Sequence, residues 1–79
     1  MDAEELNRLR WQCRRGLLEL ELLLERFLDR HGGHLQGEHL TSFKTLLEYA
    51  DSDLWDLLQA RAECRDARLA EVLGWMRNR

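Results

Sequence analysis

Cys13 is the side chain whose sequence neighbours come nearest to those of a catalytic nucleophile. Arg14 and Arg15 follow it directly, and nearby cations lower the pKa of a thiol. Cys13 also falls on the apolar stripe of the first predicted helix, where buried free cysteines are common. The only serines, Ser42 and Ser52, lie in no nucleophile elbow and beside no histidine in sequence. We therefore predict no catalytic residue and a protein that is not an enzyme.

The three histidines are the candidates for a metal site. His31, His34 and His39 lie in a glycine-bearing segment, and imidazoles three and five residues apart could bind zinc. No cysteine pair completes a set of four ligands, so solvated loop histidines are the favoured interpretation. Gly32 and Gly33 match neither a Walker loop nor a dinucleotide fingerprint. We expect no metal and no stably bound cofactor.

A group of basic, aromatic and acidic residues around Gly16 is the strongest candidate for a functional site. A rotation of about 100° per residue places Arg8, Trp11 and Arg15 nearly opposite the predicted buried stripe. Tryptophan and arginine are also the residue types that dominate binding hot spots. The pattern indicates a partner-binding surface formed by Arg8, Trp11, Arg14, Arg15, Gly16 and Glu19.

Helix capping offers an alternative explanation for most of this group. Arg14 and Arg15 would suit the negative end of the first helix, and Gly16 would end that helix in a left-handed conformation. Glu19 would suit the first turn of the next helix. Capping does not explain Trp11, although a five-helix domain could bury that side chain against the fourth or fifth helix. The residues alone leave both readings open.

The composition predicts an all-α fold in one domain spanning residues 1–79. The sequence has no proline and no isoleucine, and it is rich in the helix formers Leu, Arg, Glu and Ala. The net charge is −3, yet four arginines and no acid lie between Leu6 and Leu18. A local basic patch on an acidic protein suits an acidic or phosphate-bearing partner surface better than nucleic acid in general.

The N-terminal residues lack the basic flank and apolar run of a signal peptide. No stretch approaches the roughly 20 apolar residues of a membrane span. The two cysteines form no CxxC motif and give no disulfide framework. We therefore expect a cytoplasmic protein with free thiols and no membrane insertion.

Apolar spacing predicts a compact bundle of five helices, at about residues 3–15, 17–30, 38–50, 53–60 and 66–77. Ser52 is the predicted N-cap of the fourth helix, with Asp51 and Asp53 as capping residues. Leu18 and Leu22 fall outside the core face of the second helix, so they are expected either against another helix or exposed. The predicted core residues are Leu6, Leu9, Cys13, Leu17, Leu20, Leu23, Leu24, Phe27, Leu28, Leu40, Phe43, Leu46, Leu47, Ala50, Leu54, Leu57, Leu58, Leu69, Val72, Leu73 and Met76.

Two segments resemble the SdhE family, called Sdh5 in mitochondria, whose members are flavinylation factors of succinate dehydrogenase. The first, residues 11–21, reads WQCRRGLLELE and contains the family motif R-G-x-x-E at Arg15, Gly16 and Glu19. The second, residues 46–55, reads LLEYADSDLW and is similar to the family's L-L-E-x-x-D-x-D-L-aromatic segment. The similarity extends over essentially the whole chain from about Arg8.

The resemblance implies a five-helix fold and a non-catalytic assembly factor. Such a factor binds the flavoprotein subunit of succinate dehydrogenase, and in bacteria that of fumarate reductase, and promotes covalent FAD attachment to a histidine of that client. It implies that FAD belongs to the client. We expect a bacterial cytoplasmic protein that is monomeric when free, although the sequence itself does not reveal whether the free protein dimerises. An antitoxin-like interaction module with another partner is the alternative, and the identity of the co-purified client separates the two.

The absence of a phosphate cradle predicts that the isolated protein does not bind FAD tightly. Titration of the purified protein with FAD is expected to leave the flavin spectrum unchanged. A flavin spectrum that saturates with submicromolar affinity would instead indicate an FAD carrier.

Overall fold

Five α-helices carry the fold in a computed structural model that describes residues 2–77, and a short 3-10 helix, Gly32–His34, follows the second of them. There is no β-strand in this range. The helices are α1 (Ala3–Gln12), α2 (Leu18–His31), α3 (Gly37–Leu47), α4 (Asp51–Leu58) and α5 (Ala67–Arg77). The predicted all-α, five-helix architecture is confirmed.

The core forms where apolar residues recur at helical spacing. α2 and α5 each bury four side chains on one face, and α3 and α4 bury leucines and Phe43 against them. Leu6, Leu17, Leu23 and Leu40 are half-buried and pack on the edge of this core. Two differences from the prediction stand out. Ala50 is exposed, and Leu35 is fully buried although it lies in a connection between helices.

α1 ends three residues earlier than the sequence predicts. Its cap is Cys13, whose backbone N–H donates to the carbonyl of Leu9 at 3.0 Å. The prediction that Gly16 ends the helix in a left-handed conformation is wrong. Among residues 2–77, positive φ occurs at Gly37 (58°) and Ala60 (59°) instead. The chain leaves the helical path because Cys13 is buried and Arg15 is held by contacts elsewhere in the fold.

The predicted capping of α4 is also wrong. The helix begins at Asp51, so Ser52 lies in its first turn, and the cap position belongs to Ala50, which offers no side-chain hydrogen bond. Asp51 and Asp53 lie in the first turn, where the helix dipole favours negative charge. Side-chain capping occurs instead before α1, where Asp2 accepts from the backbone N–H of Glu5 at 2.7 Å, and before α5, where the carboxylate of Asp66 accepts from two backbone N–H groups at 2.9 and 3.4 Å.

None of the helices in the described range is long and apolar enough to cross a membrane.

Burial makes Cys13 a poor nucleophile despite its basic neighbours. Its side chain is only 1 % exposed. Desolvation raises the pKa of the Cys13 thiol from 9.0 to about 11, and the nearby charge of Arg15 offsets only part of this. The thiol is therefore protonated at neutral pH. The Cys13 thiol binds its proton more tightly in the folded state than in the unfolded state. The free energy of unfolding is therefore highest below pH 9, where the thiol is protonated in both states, and it falls as the pH rises through 9 towards 11.

We expect a thiol reagent at pH 8 to modify Cys64, which is half-buried, much faster than Cys13. Mass spectrometry of the native protein should show one rapid adduct, and a second only in denaturant. The Cys64→Ser variant is the control and should resist labelling while folded. Equal labelling rates for that variant with and without denaturant would show that Cys13 is accessible.

Candidate partner-binding surface

The side chain of Arg15 is largely buried between the α1–α2 and α3–α4 connections. One guanidinium nitrogen donates to Asp51 Oδ1 at 2.9 Å and to the carbonyl of Tyr49 at 2.7 Å. The other donates to the carbonyl of Leu47, the last residue of α3. The side chain is only 11 % exposed. The expectation that Arg15 lies on the exposed side of α1 is therefore wrong, because the helix has already ended at Gln12.

Asp51 joins the same two connections through its second oxygen. Oδ2 accepts a hydrogen bond from the backbone N–H of Gly16 at 3.2 Å. One carboxylate at the start of α4 thus binds two consecutive residues that lie 35 and 36 positions earlier in the sequence. We call this arrangement the Arg15–Asp51 bridge. It fixes the position of Gly16 on the surface.

The bridge also brings together the two segments singled out in the sequence. Sequence reasoning included Arg15 and Gly16 in the site but missed Tyr49, to which it assigned no role, and Asp51, which it interpreted as a capping residue. Both residues lie in the second segment that resembles the family, residues 46–55, and that resemblance is the sequence feature that could have identified them. Nothing in local spacing indicates that this segment contacts Arg15.

Nothing in the described fold requires glycine at position 16. Its φ lies outside the left-handed region, and an added Cβ would lie 3.9 Å from its nearest neighbour, Asp51 Oδ2. That distance is an ordinary van der Waals contact, so alanine would fit. The backbone of Gly16 is exposed. A glycine that the fold does not need is consistent with close approach by another molecule.

Apolar side chains are exposed on either side of Gly16. Trp11 is 69 % exposed, Leu18 is 65 % exposed and Leu22 is 44 % exposed. The guanidinium of Arg14 lies 5.0 Å from the centre of the Trp11 ring, a cation–π arrangement. Trp11 therefore does not pack against α4 or α5, and Leu18 and Leu22 are exposed rather than buried against another helix. We call Trp11, Arg14, Gly16, Leu18 and Glu19 the exposed face.

Arg8 and Glu19, the remaining two predicted site residues on the surface, are also exposed. Arg8 pairs with Glu4 at 3.3 Å one helical turn away, and both side chains are more than 70 % exposed. Such a surface pair contributes little stability and can exchange partners readily. Glu19 is exposed in the first turn of α2. Five of the six predicted site residues are thus accessible, and Arg15 is the exception.

The histidines do not meet to form a metal site. The rings of His31 and His39 lie 6.0 and 4.4 Å from that of Trp75, and His34 is exposed. His39 also lies 3.0 Å from a carboxylate oxygen of Glu71. Between residues 2 and 77, no three His, Cys, Asp or Glu side chains are grouped as metal ligands.

Comparison with known proteins gives a consistent match. The family model described as "Sdh5: Flavinator of succinate dehydrogenase" matches residues 7–79. A relative named "FAD assembly factor SdhE" from Idiomarina loihiensis is 38 % identical over 76 residues, which cover 96 % of this chain and 84 % of the relative. Relatives of the same name from Legionella pneumophila (strain Paris) and Shewanella oneidensis are 38 % and 35 % identical over 99 % and 100 % of this chain, and 98 % and 96 % of their own. No solved structure was found to match.

Removal of the Arg15 guanidinium is expected to destabilise the fold by about 2 kcal/mol, because two carbonyls and a carboxylate lose a charged donor. Arg15→Lys should lose a smaller amount, since one ammonium cannot reproduce the planar fork. Urea denaturation of Arg15→Ala and Arg15→Lys measures both effects. The matched control is Arg14→Ala, which is exposed and should change stability by no more than about 0.5 kcal/mol. Equal stability of the two alanine variants would contradict a structural role for the bridge.

Proposed function

We propose that this chain, which belongs to the Sdh5 family of flavinators of succinate dehydrogenase, binds the flavoprotein subunit of that enzyme and promotes covalent attachment of FAD to it. The observation that carries the proposal is the exposed face around Gly16. There, a glycine that the fold does not require lies between an exposed tryptophan and an exposed leucine. A contiguous apolar patch left in solvent commonly marks a partner-binding site, and we propose that Trp11 and Leu18 belong to one such patch.

The proposed role is to hold the client rather than to catalyse. Covalent flavin attachment needs a nucleophile and stabilisation of the negative charge that develops on the flavin ring. Cys13 is buried with a raised pKa, so it is unsuited to attack. We infer that the client supplies its own histidine and FAD, and that this protein favours the client conformation in which those groups are aligned.

Each residue of the exposed face has a proposed part in binding. Gly16 lets the client backbone approach where a larger side chain would clash. Trp11, held under Arg14, acts as the apolar anchor. Glu19 accepts hydrogen bonds from a basic or backbone group of the client, and Arg8 exchanges Glu4 for a client carboxylate.

Arg15 acts by positioning. Its guanidinium donates to three acceptors within the fold and its side chain is only 11 % exposed, so little of it is accessible to the client. Through Asp51 it sets the place and orientation of Gly16. We propose that loss of Arg15 lowers client binding because Gly16 moves, whereas loss of Arg8 or Arg14 removes a direct contact.

We also propose that the client range includes the flavoprotein subunit of fumarate reductase, that the free protein is a monomer, and that it acts in the bacterial cytoplasm. Sedimentation velocity of the free protein measures its oligomeric state. Flavinylation of each subunit in cells that contain or lack this protein measures the client range.

The Gly16→Arg variant is expected to remain folded and to lose function, because the new side chain projects from the exposed face. In-gel flavin fluorescence of the client subunit should fall to the level in cells without the protein. Gly33→Arg is the matched control, since Gly33 is also exposed and an added Cβ there meets nothing within 4 Å. That variant should support normal flavinylation.

Circular dichroism distinguishes the possible failures. If Gly16→Arg were unfolded, the motif would be structural and the site assignment wrong. If client fluorescence were the same in cells with and without this protein, the assembly-factor function itself would be excluded.

A further inference from the structure

A groove of about 470 Å³ opens between α2, α4 and α5, away from Gly16. Its walls include the half-buried rings of Trp55 and Trp75, and the largely buried Phe27, Leu58 and Met76 also line it. A groove of this size falls within the range of about 300–1,000 Å³ seen in binding sites. Of the residues of the exposed face, only Glu19 lines it.

The groove is basic although the protein as a whole is acidic. Its charged lining includes Arg26, Arg30 and Arg77 but only one carboxylate, that of Glu19, in a chain with a net charge of −3. Arg77 is held in place, because its guanidinium donates to the carbonyls of Leu57 and Leu58 at the end of α4.

Arg26 and Arg30 differ from Arg77 because both are exposed and lie one turn apart on α2. In the described part of the chain, neither forms an ion pair with a carboxylate. Like charges at this spacing repel each other by a few tenths of a kcal/mol, which an anionic partner would relieve.

The groove is continuous with the exposed face. Glu19 and Leu22 line its near end, and both lie on the helix that begins beside Gly16. At about 1.5 Å per residue, Leu18 and Arg30 are roughly 18 Å apart along α2. One partner of ordinary interface size can therefore cover both surfaces.

We propose that this groove binds an acidic segment of the flavoprotein client, with an apolar side chain between Trp55 and Trp75 and carboxylates on Arg26 and Arg30. The inference rests on the proposed function, and it extends the client-binding surface along the whole of α2. Charge complementarity selects an acidic occupant, and continuity with the exposed face selects a segment of the same client.

The test measures the affinity of the purified protein for the purified flavoprotein subunit of succinate dehydrogenase at low and high salt. The test variant is Arg26→Glu with Arg30→Glu, which reverses the charge and keeps the spacing of like charges. The control is Arg61→Glu with Arg65→Glu, an identical change in net charge at two exposed arginines of the α4–α5 connection. Arg26→Gln with Arg30→Gln provides a milder test if the reversal lowers the melting temperature.

The groove variants are expected to bind the client at least tenfold more weakly at low salt and to show less salt dependence than the unmodified protein. The control should stay within twofold. Equal weakening of the test and control pairs, or no weakening of the groove pair while Gly16→Arg still abolishes binding, would overturn the inference and leave the proposed function standing. Failure of the unmodified protein to bind the subunit would overturn both. Binding of free FAD that is lost in the groove pair would assign the groove to a small anion instead.

Discussion

A single carboxylate, Asp51, holds the two connections on which the surface depends. It binds the guanidinium of Arg15 and the backbone N–H of Gly16, so the α1–α2 connection is fixed to the start of α4. Residues 13–17 have no regular secondary structure, and the long-range hydrogen bonds of Arg15 and Gly16 hold them to residues 47–51. The connection between the helices that carry Trp11 and Leu18 is therefore held by one part-buried ion pair and by hydrogen bonds from Arg15 to two backbone carbonyls.

Two arginines, Arg15 and Arg77, each donate hydrogen bonds to backbone carbonyls near the C-terminal end of a helix. The last carbonyls of a helix lack partners within that helix and carry partial negative charge. Arg15 donates to carbonyls at the end of α3, and Arg77 donates to those at the end of α4. A planar guanidinium with five N–H groups can serve several such acceptors together, which an ammonium does less well. Two helix ends are thus capped by side chains distant in sequence.

The helices and the core could be predicted from the sequence because they follow from apolar periodicity. The contact between Arg15 and Asp51 could not, because it joins residues far apart in the chain. Leucines at helical spacing on α2 and α5 identified the core, and rotation along α1 correctly placed Arg8 and Trp11 in solvent. The same rotation failed for Arg15, because it assumed a helix that has already ended. Asp51 looked like a capping residue because no local pattern reveals a partner 36 positions away.

The fold does not require glycine at position 16, so selection for stability alone would not retain one there. Alanine fits that position sterically, and replacing glycine where the backbone allows typically stabilises a protein by about 0.4–1 kcal/mol by restricting the unfolded chain. A lineage selected for thermal resistance alone would therefore be expected to abandon the glycine. On the proposed function, glycine at this position costs a little stability and permits contact with another molecule, a trade-off that functional surfaces commonly carry.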